Sequence, residues 1–183
     1  MSDESQPLSA LYAFRRNAVV TASAGTGKTF TLVGVAVHLL LGATERQGGG
    51  LRPPVLPERL LMTTFSRKAA KEMRTRLEEA LLQLGQGSPY EATLAAFRAE
   101  RGLGAWSAAD LRRRAAKARA GLLHAEIGTM HGLAARIVRE QTLALGLSRM
   151  PEILDERREE ELRERIILDV LEASLGGDAE AGR

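Results

Sequence analysis

The chain has 183 residues, of which 44% are hydrophobic and 27% are charged. These values predict one globular unit with a real core and exclude a disordered or fibrous chain. The net charge of +3 permits nucleic-acid binding without requiring it. The absence of cysteine excludes disulfides and thiolate metal sites. The polar N-terminus and the lack of an apolar run of about 20 residues predict a cytoplasmic protein without a membrane segment.

The first predicted unit is a strand, a glycine-rich loop and a buried helix. Residues 18–21 form a short β-branched run, which predicts a strand, and residues 28–41 are apolar on almost every side, which predicts a buried helix. Residues 44–58 contain three consecutive glycines and two consecutive prolines. This composition predicts a surface connection.

A second strand and helix follow. Residues 59–65 are an apolar run, and residues 68–84 have the periodicity of a helix, whose predicted apolar side consists of Met73, Leu77, Ala80, Leu81 and Leu84. A Gly- and Pro-rich break at residues 85–89 ends this helix, and a less patterned segment that contains Trp106 follows it. Ser107 and Asp110 have the spacing of a capping box, which predicts the start of another helix with a solvated basic face.

The last predicted elements are one strand and two helices. Residues 125–130 could form a third short strand, and residues 131–145 read as a helix. The final helix is predicted from Pro151 to Leu175 and is expected to end at the two following glycines.

The glycine-rich segment has the composition of a phosphate-binding loop. It reads Ala22-Ser23-Ala24-Gly25-Thr26-Gly27-Lys28-Thr29. Such a loop needs glycines to curl around an anion, a lysine for the β and γ phosphates, and a hydroxyl for Mg²⁺. Ala22 stands where glycine usually opens the pattern. The sequence predicts that residues 22–29 bind ATP, that Lys28 acts on its phosphates, and that the Thr29 hydroxyl binds Mg²⁺.

Two later segments resemble motifs of the UvrD/Rep-type superfamily 1 DNA helicases. Residues 64–73, TFSRKAAKEM, are similar to the family form TFTNKAAxEM, with Arg67 in place of asparagine. Residues 128–132, GTMHG, are similar to the next motif, commonly T-[FI]-H-[SG]. The residues of all three motifs are most similar to those of the RecB and AddA branch of helicase-nuclease proteins. The resemblance covers about residues 19–175.

The resemblance implies a fold and a function. The fold is α/β, a P-loop NTPase (RecA-like) three-layer parallel sheet that is incomplete here. Residues 1–146 would be the N-terminal part of the ATP-binding lobe, with a loop or helical insertion at about 85–124, and residues 147–183 the start of a largely helical insertion subdomain. The implied function is ATP-dependent DNA unwinding in recombination and repair. The implied partners are single- and double-stranded DNA and a second protein of a helicase-nuclease complex.

The same resemblance implies which residues contact DNA. Phe65 would stack on a base, Thr64 and Ser66 would touch phosphates, and His131 would meet DNA or brace its motif. The alternative is that Phe65 is a core residue ahead of an amphipathic helix. Gln6 lies near the position of the family's adenine-reading glutamine. His38 and His124 match no motif and are expected to be structural.

The acids that ATP hydrolysis requires are not evident in the sequence. Asp155 and Glu156 are the one tempting pair, but they precede a charged helix rather than end a buried strand. We therefore expect the catalytic acids beyond residue 183 and no hydrolysis by this chain alone. Two alternatives stay open: a small self-contained P-loop nucleotide or metabolite kinase, and a non-catalytic nucleotide-binding module.

Overall fold

The structure, a computed structural model, describes residues 8–14, 17–21, 27–46, 50–147, 151 and 154–180. For residues 8, 9 and 175–180 it describes the backbone alone. The chain divides into two compact units, Met1–Gly132 and Leu133–Arg183. The division into domains at residues 146 and 147 stays a prediction.

The described residues form an α/β structure that is mostly helical and contains a two-stranded parallel sheet. The helices are α1 (Leu8–Ala13), α2 (Lys28–Leu41), α3 (Arg67–Gln83), α4 (Pro89–Ala99), α5 (Ala108–Ala120), α6 (Met130–Glu140) and α7 (Glu156–Glu180). The strands are β1 (Leu61–Thr64) and β2 (Glu126–Thr129). Short 3₁₀ turns at Pro57–Arg59 and Leu122–His124 precede the two strands. In the part of the chain that the structure describes, no helix combines the length and apolar character needed to cross a membrane.

The two strands pair over their full length. Leu61 lies opposite Glu126, and Thr64 lies opposite Thr129, so both strands end at the same edge of the sheet. Helix α3 packs against both strands. The outward side of β1 is open, and Leu61 is 54% exposed.

An arginine of α3 fastens the helix to the start of β2. The Arg74 guanidinium donates to the carbonyl oxygens of Leu122, Ala125 and Ile127, at 3.2, 3.3 and 3.4 Å. These carbonyls belong to the chain that leads into and forms β2. Arg74 therefore links the helix after β1 to the strand that pairs with β1.

The predicted strand at residues 18–21 is wrong. Residues 17–21 have no strand structure, Val19 is 91% exposed and Val20 is 46% exposed. A strand needs a neighbour for its backbone donors and acceptors. Among the described residues β1 and β2 pair with each other, and neither pairs with this segment.

Four helices of the first unit form its core. The predicted apolar side of α3 is buried, which confirms the helix and its orientation. The same core contains apolar side chains of α2, α4 and α5, among them Val33, Val37, Leu41, Leu94, Phe97, Leu111 and Ala115. Helix α5 begins as predicted, because the Ser107 hydroxyl accepts from the Asp110 backbone N–H at 3.1 Å.

Helix α4 lies within the less patterned segment at residues 85–106, where the sequence did not mark an individual helix. Ser88 begins this helix, and its hydroxyl accepts from the backbone N–H of Tyr90. A single carboxylate oxygen of Glu91 accepts backbone N–H bonds of 2.8 to 3.1 Å from four consecutive residues, 85–88. Partial burial acts to raise the pKa of Glu91, but these bonds outweigh it and hold the pKa below its usual value.

Two arginines of the predicted solvated basic face of α5 contact neighbouring elements, and Arg114 is half-buried. Arg112 donates to the carbonyl oxygen of Gly85 at 2.9 Å. Arg114 donates to the carbonyl oxygen of Leu41 at 3.3 Å, and its guanidinium lies 4.3 Å from the centre of the Trp106 ring. Both side chains bind the ends of neighbouring helices, where backbone carbonyls lack partners within their own helix.

The predicted surface connection at residues 44–58 is buried where it begins. Thr44 is 1% exposed and Glu45 is 5% exposed. Glu45 forms an ion pair with Arg101, whose guanidinium also lies 3.5 Å from the centre of the Phe97 ring. The ion pair allows the carboxylate to be enclosed, because a buried charge requires a partner.

His38 is a core residue, as predicted. Its ring stacks on Tyr12 with 4.1 Å between ring centres, and it is fully buried. Nδ1 lies 3.1 Å from the carbonyl oxygen of Ala43, and Nε2 lies 3.1 Å from the Thr93 hydroxyl. Gly34 makes room for this stack, since a Cβ there would lie 2.7 Å from the Tyr12 hydroxyl. The cluster fastens α1 to α2.

The second unit differs from prediction at its helix ends. Helix α6 ends at Glu140, with turns over residues 141–146 in place of the predicted last turn of helix. Helix α7 begins at Glu156 and continues to Glu180, so the prediction that it begins near Pro151 and ends at Gly176-Gly177 is wrong. Glycine lowers helix propensity by about 1 kcal/mol without forbidding the conformation.

Acidification should destabilise the protein through His38. Burial lowers the pKa of His38 to about 4, opposed by the Ala43 carbonyl and assisted by Arg101. The unfolded chain therefore takes up a proton on this histidine at a higher pH than the folded chain does. The stability that neutral His38 contributes is present above pH 6.5 and is lost as the pH falls toward 4. Between neutral pH and about pH 5 we expect a loss of about 2 kcal/mol in urea unfolding. His38→Gln should remove this pH dependence and the exposed-site variant His124→Gln should keep it; equal pH dependence in all three proteins would contradict the assignment.

Loss of the Glu91 carboxylate should weaken the turn before α4. Glu91→Ala leaves four backbone N–H groups without their shared acceptor, and we expect a loss of about 1–2 kcal/mol in unfolding free energy at neutral pH. Glu79→Ala, on an exposed position of α3, is the matched control and should change stability by less than about 0.5 kcal/mol. Equal stability of the two variants would show that water replaces the carboxylate without cost.

Candidate functional site

The last residues of the predicted phosphate-binding loop lie at the start of α2. Gly27 precedes the helix with φ 87° and ψ 14°, a left-handed conformation that favours glycine, and its carbonyl oxygen accepts from the Thr31 N–H at 2.9 Å. Lys28 is the first residue of the helix and is exposed, and Thr29 is half-buried. The N-terminal end of α2, a helix that is mostly buried from Val33 onward, therefore carries Gly27, Lys28 and Thr29. The predicted contacts of residues 22–26, and that of Gln6, lie outside the described residues.

A mostly apolar cavity adjoins Lys28. Its volume is about 450 Å³. Its lining comes from α1, the segment after it and α2, and consists of Leu11, Phe14, Asn17, Ala18, Val20, Lys28, Thr31, Leu32 and Val35. No sequence motif marks the α1 side of this cavity, so it could not be predicted from the sequence. Phe14, which ends α1 with φ 55°, is the one described residue other than glycine with positive φ.

Phe65 projects from the loop between β1 and α3. It is 89% exposed, so the alternative that Phe65 is a core residue is excluded for this structure. The flanking hydroxyls hold the loop: Thr64 Oγ1 donates to the Ser66 carbonyl oxygen at 2.8 Å, and Ser66 Oγ accepts from the Ala69 N–H at 3.1 Å. Ser66 is thus the N-cap of α3.

At the end of β2, as at the end of β1, a hydroxyl group binds the first turn of the following helix. Thr129 Oγ1 accepts from the Gly132 N–H at 3.0 Å, which holds the first turn of α6. His131 is in that turn and is exposed. Thr129 belongs to the second motif, but the motif did not mark it as a site residue.

The sheet brings the two loops together. Thr64 and Thr129 are register partners in parallel strands, whose spacing is about 4.8 Å. Phe65 follows one of them directly, and His131 follows the other by two residues. The predicted DNA-contacting residues Thr64, Phe65, Ser66 and His131 therefore share one edge of the sheet.

Asp155 has a structural position. Its carboxylate accepts from the Arg158 N–H at 2.9 Å, and its carbonyl oxygen accepts from the Glu159 N–H, so it begins α7. That the pair at residues 155 and 156 is not catalytic stays a prediction. Within the described ranges no three His, Asp or Glu side chains are grouped so as to hold a metal ion.

The model of the UvrD/REP helicase N-terminal domain matches residues 3–178. The chain belongs to this family. The resemblance noted from the motifs is thereby confirmed. Among similar proteins are two ATP-dependent helicase/nuclease subunits: one from Streptococcus agalactiae serotype Ia, 28% identical over 178 residues, and one from Streptococcus pyogenes serotype M12, 27% identical over 177 residues. These alignments cover 97% and 96% of this chain but 12% of each relative, so the UvrD/REP-type domain here spans about an eighth of their length.

Proposed function

We propose that this chain binds ATP and single-stranded DNA as part of an ATP-dependent DNA helicase of recombination and repair. The observation that carries the proposal is the pairing of Thr64 with Thr129, which sets the exposed Phe65 beside the second motif loop in a member of the helicase family. The complete fold is proposed to be a RecA-like P-loop NTPase, in which further strands extend the two-stranded sheet.

The nucleotide is proposed to bind at the start of α2. A helix N-terminus attracts phosphate through its unpaired N–H groups and its dipole. Lys28 lies at this end as an exposed cation, and Thr29 supplies a hydroxyl one residue later. These residues fit a triphosphate with Mg²⁺. The metal would neutralise phosphate charge, and the Thr29 hydroxyl would be its protein ligand.

Binding without hydrolysis is the activity we propose for this chain alone. Transfer of a phosphoryl group requires acids that hold Mg²⁺ and orient the attacking water. Among the described residues no three His, Asp or Glu side chains are grouped to hold a metal, and the Asp155 carboxylate accepts from the Arg158 N–H at the start of α7. The same observation disfavours a self-contained kinase. Hydrolysis, and a nuclease-containing partner, would belong to a longer protein like the relatives.

DNA is proposed to run along the edge where β1 and β2 end. An exposed aromatic ring stacks on any base, which gives affinity without sequence preference. Phe65 offers such a ring, flanked by Thr64, Ser66 and the cations Arg67 and Lys68. Double-stranded DNA is the proposed substrate of the longer protein, and the single strand is the part bound here.

Lys28→Ala should weaken nucleotide binding strongly. The affinity of a fluorescent ATP analogue, titrated in the presence of Mg²⁺, should fall at least about tenfold because a charge-assisted contact to phosphate is lost. Lys117→Ala removes an exposed cation from α5 and should leave the affinity unchanged. Equal affinity in the Lys28 variant, or ATP hydrolysis that depends on Asp155, would contradict the proposal.

Phe65→Ala should weaken binding to an oligothymidine. We expect a loss of about 1–3 kcal/mol by fluorescence anisotropy, the range for removing one stacked base. The melting temperature should not change, because the ring is exposed. Leu123→Ala is the matched control, since Leu123 is 85% exposed and lies before β2 rather than after it. Undiminished DNA affinity in the Phe65 variant would reject stacking.

A further inference from the structure

The first turn of α2 carries the proposed nucleotide site, but no side chain of the described residues caps it. Helices α3, α4 and α5 begin after Ser66, Ser88 and Ser107, whose hydroxyls accept from backbone N–H groups of the first turn. Helix α2 begins after Gly27, which has no side chain to do this. A capping side chain would occupy N–H groups that a bound phosphate uses. The orientation of this turn is therefore fixed by contacts on its side.

Phe30 makes such a contact with Tyr90 of α4. The two rings stack with 4.6 Å between their centres and 16° between their planes. Tyr90 is 8% exposed, and its hydroxyl lies 3.5 Å from the Phe30 carbonyl oxygen. Phe30 directly follows Thr29 in the sequence. The stack therefore holds the same helical turn that carries Lys28 and Thr29.

The stack is one end of a seam between α2 and α4. Phe30, Gly34 and His38 repeat every four residues, so they lie along one face of α2. At the other end of this face, the His38 ring meets the Phe97 ring edge-on, with 5.5 Å between ring centres. The order of these contacts shows that α4 runs beside α2 in the same direction. Tyr90 lies at the nucleotide end of the seam, and Phe97 lies at the far end.

Tyr90 is itself held by the turn before α4. Its backbone N–H donates to the Ser88 hydroxyl at 3.4 Å. The next residue, Glu91, accepts the N–H bonds of residues 85–88. An aromatic pair has a preferred geometry, so a ring on a fixed backbone restricts the ring that stacks on it.

We infer that Tyr90 is a positioning residue for the nucleotide. Through Phe30, its ring holds the first turn of α2 in the orientation in which Lys28 and Thr29 meet the phosphates and Mg²⁺. This rests on the proposed function and adds to it a residue of α4 that no motif marks. Tyr90 does not touch the nucleotide. It acts by preorganisation, because a turn that already has the bound orientation loses less entropy on binding.

The test compares Tyr90→Leu with Phe97→Leu in titrations of a fluorescent ATP analogue in the presence of Mg²⁺. Both variants remove a buried ring of α4 from the seam, so both should lower the melting temperature. At a temperature well below both melting temperatures, Tyr90→Leu should weaken nucleotide binding about fivefold, the effect of losing one aromatic pair. Phe97→Leu is the matched control and should keep the wild-type affinity. Equal losses of affinity would mean that Tyr90 acts through general stability and would overturn the inference.

Two further variants test the stack itself. Tyr90→Phe keeps the ring and should bind the nucleotide as the wild type does; a loss equal to that of Tyr90→Leu would assign the effect to the hydroxyl and reject the stack. Phe30→Leu removes the other ring, which is half-buried, and should cause the same loss as Tyr90→Leu. The double variant should bind no more weakly than either single variant, because both changes break one contact. Additive losses would show that the rings act separately.

The outcomes separate the two proposals. If the wild-type chain does not bind the ATP analogue, the proposed function fails. If it binds and Tyr90→Leu, with an unchanged circular dichroism spectrum, binds as tightly, the positioning role is overturned and nucleotide binding stands. If Tyr90→Leu does not fold, the comparison of Phe30→Leu with Phe97→Leu decides in the same way.

Discussion

The candidate DNA site depends on the parallel pairing of β1 with β2. Parallel strands cannot be joined by a tight turn and need a long crossover, here the chain from α3 through α5. Because the two parallel strands run in the same direction, the loops that follow them begin at the same edge of the sheet. A slip of one residue would turn the β2 side chains to the other face and expose Ile127, which is 8% exposed. Burial of this side chain therefore also fixes the partnership of Thr64 and Thr129.

Three arginines of the crossover serve the fold, whereas Arg67 and Lys71 of α3 do not. Arg74, Arg112 and Arg114 each donate to backbone carbonyl oxygens at the ends of neighbouring elements. Such carbonyls lack a partner in their own helix or strand, and a guanidinium supplies one without requiring a buried carboxylate. Arg67 and Lys71 have no such contact in the described part of the chain. A basic composition alone could not separate these two groups, and the contacts do.

Local patterns predicted the elements whose stability is local. The apolar side of α3 and the cap at Ser107 depend on residues that are three or four positions apart in the sequence, and both predictions are confirmed. Helix α4 was missed although Ser88 and Glu91 have the spacing of a capping box. The strand at residues 18–21 was wrong because a strand requires a partner elsewhere in the chain. The sequence also left open whether Phe65 was buried, since that depends on where β1 ends and α3 begins.

Exposure alone does not mark Phe65 as a nucleic-acid contact. Leu162, Ile166 and Val170 are 44%, 53% and 59% exposed, but they repeat every four residues along α7. A repeated apolar stripe is the surface by which a helix packs against other apolar groups. Phe65 is a single ring between polar neighbours, with cations on the adjoining helix. A nucleotide presents an apolar base beside a charged phosphate, and the surroundings of Phe65 match both halves of it.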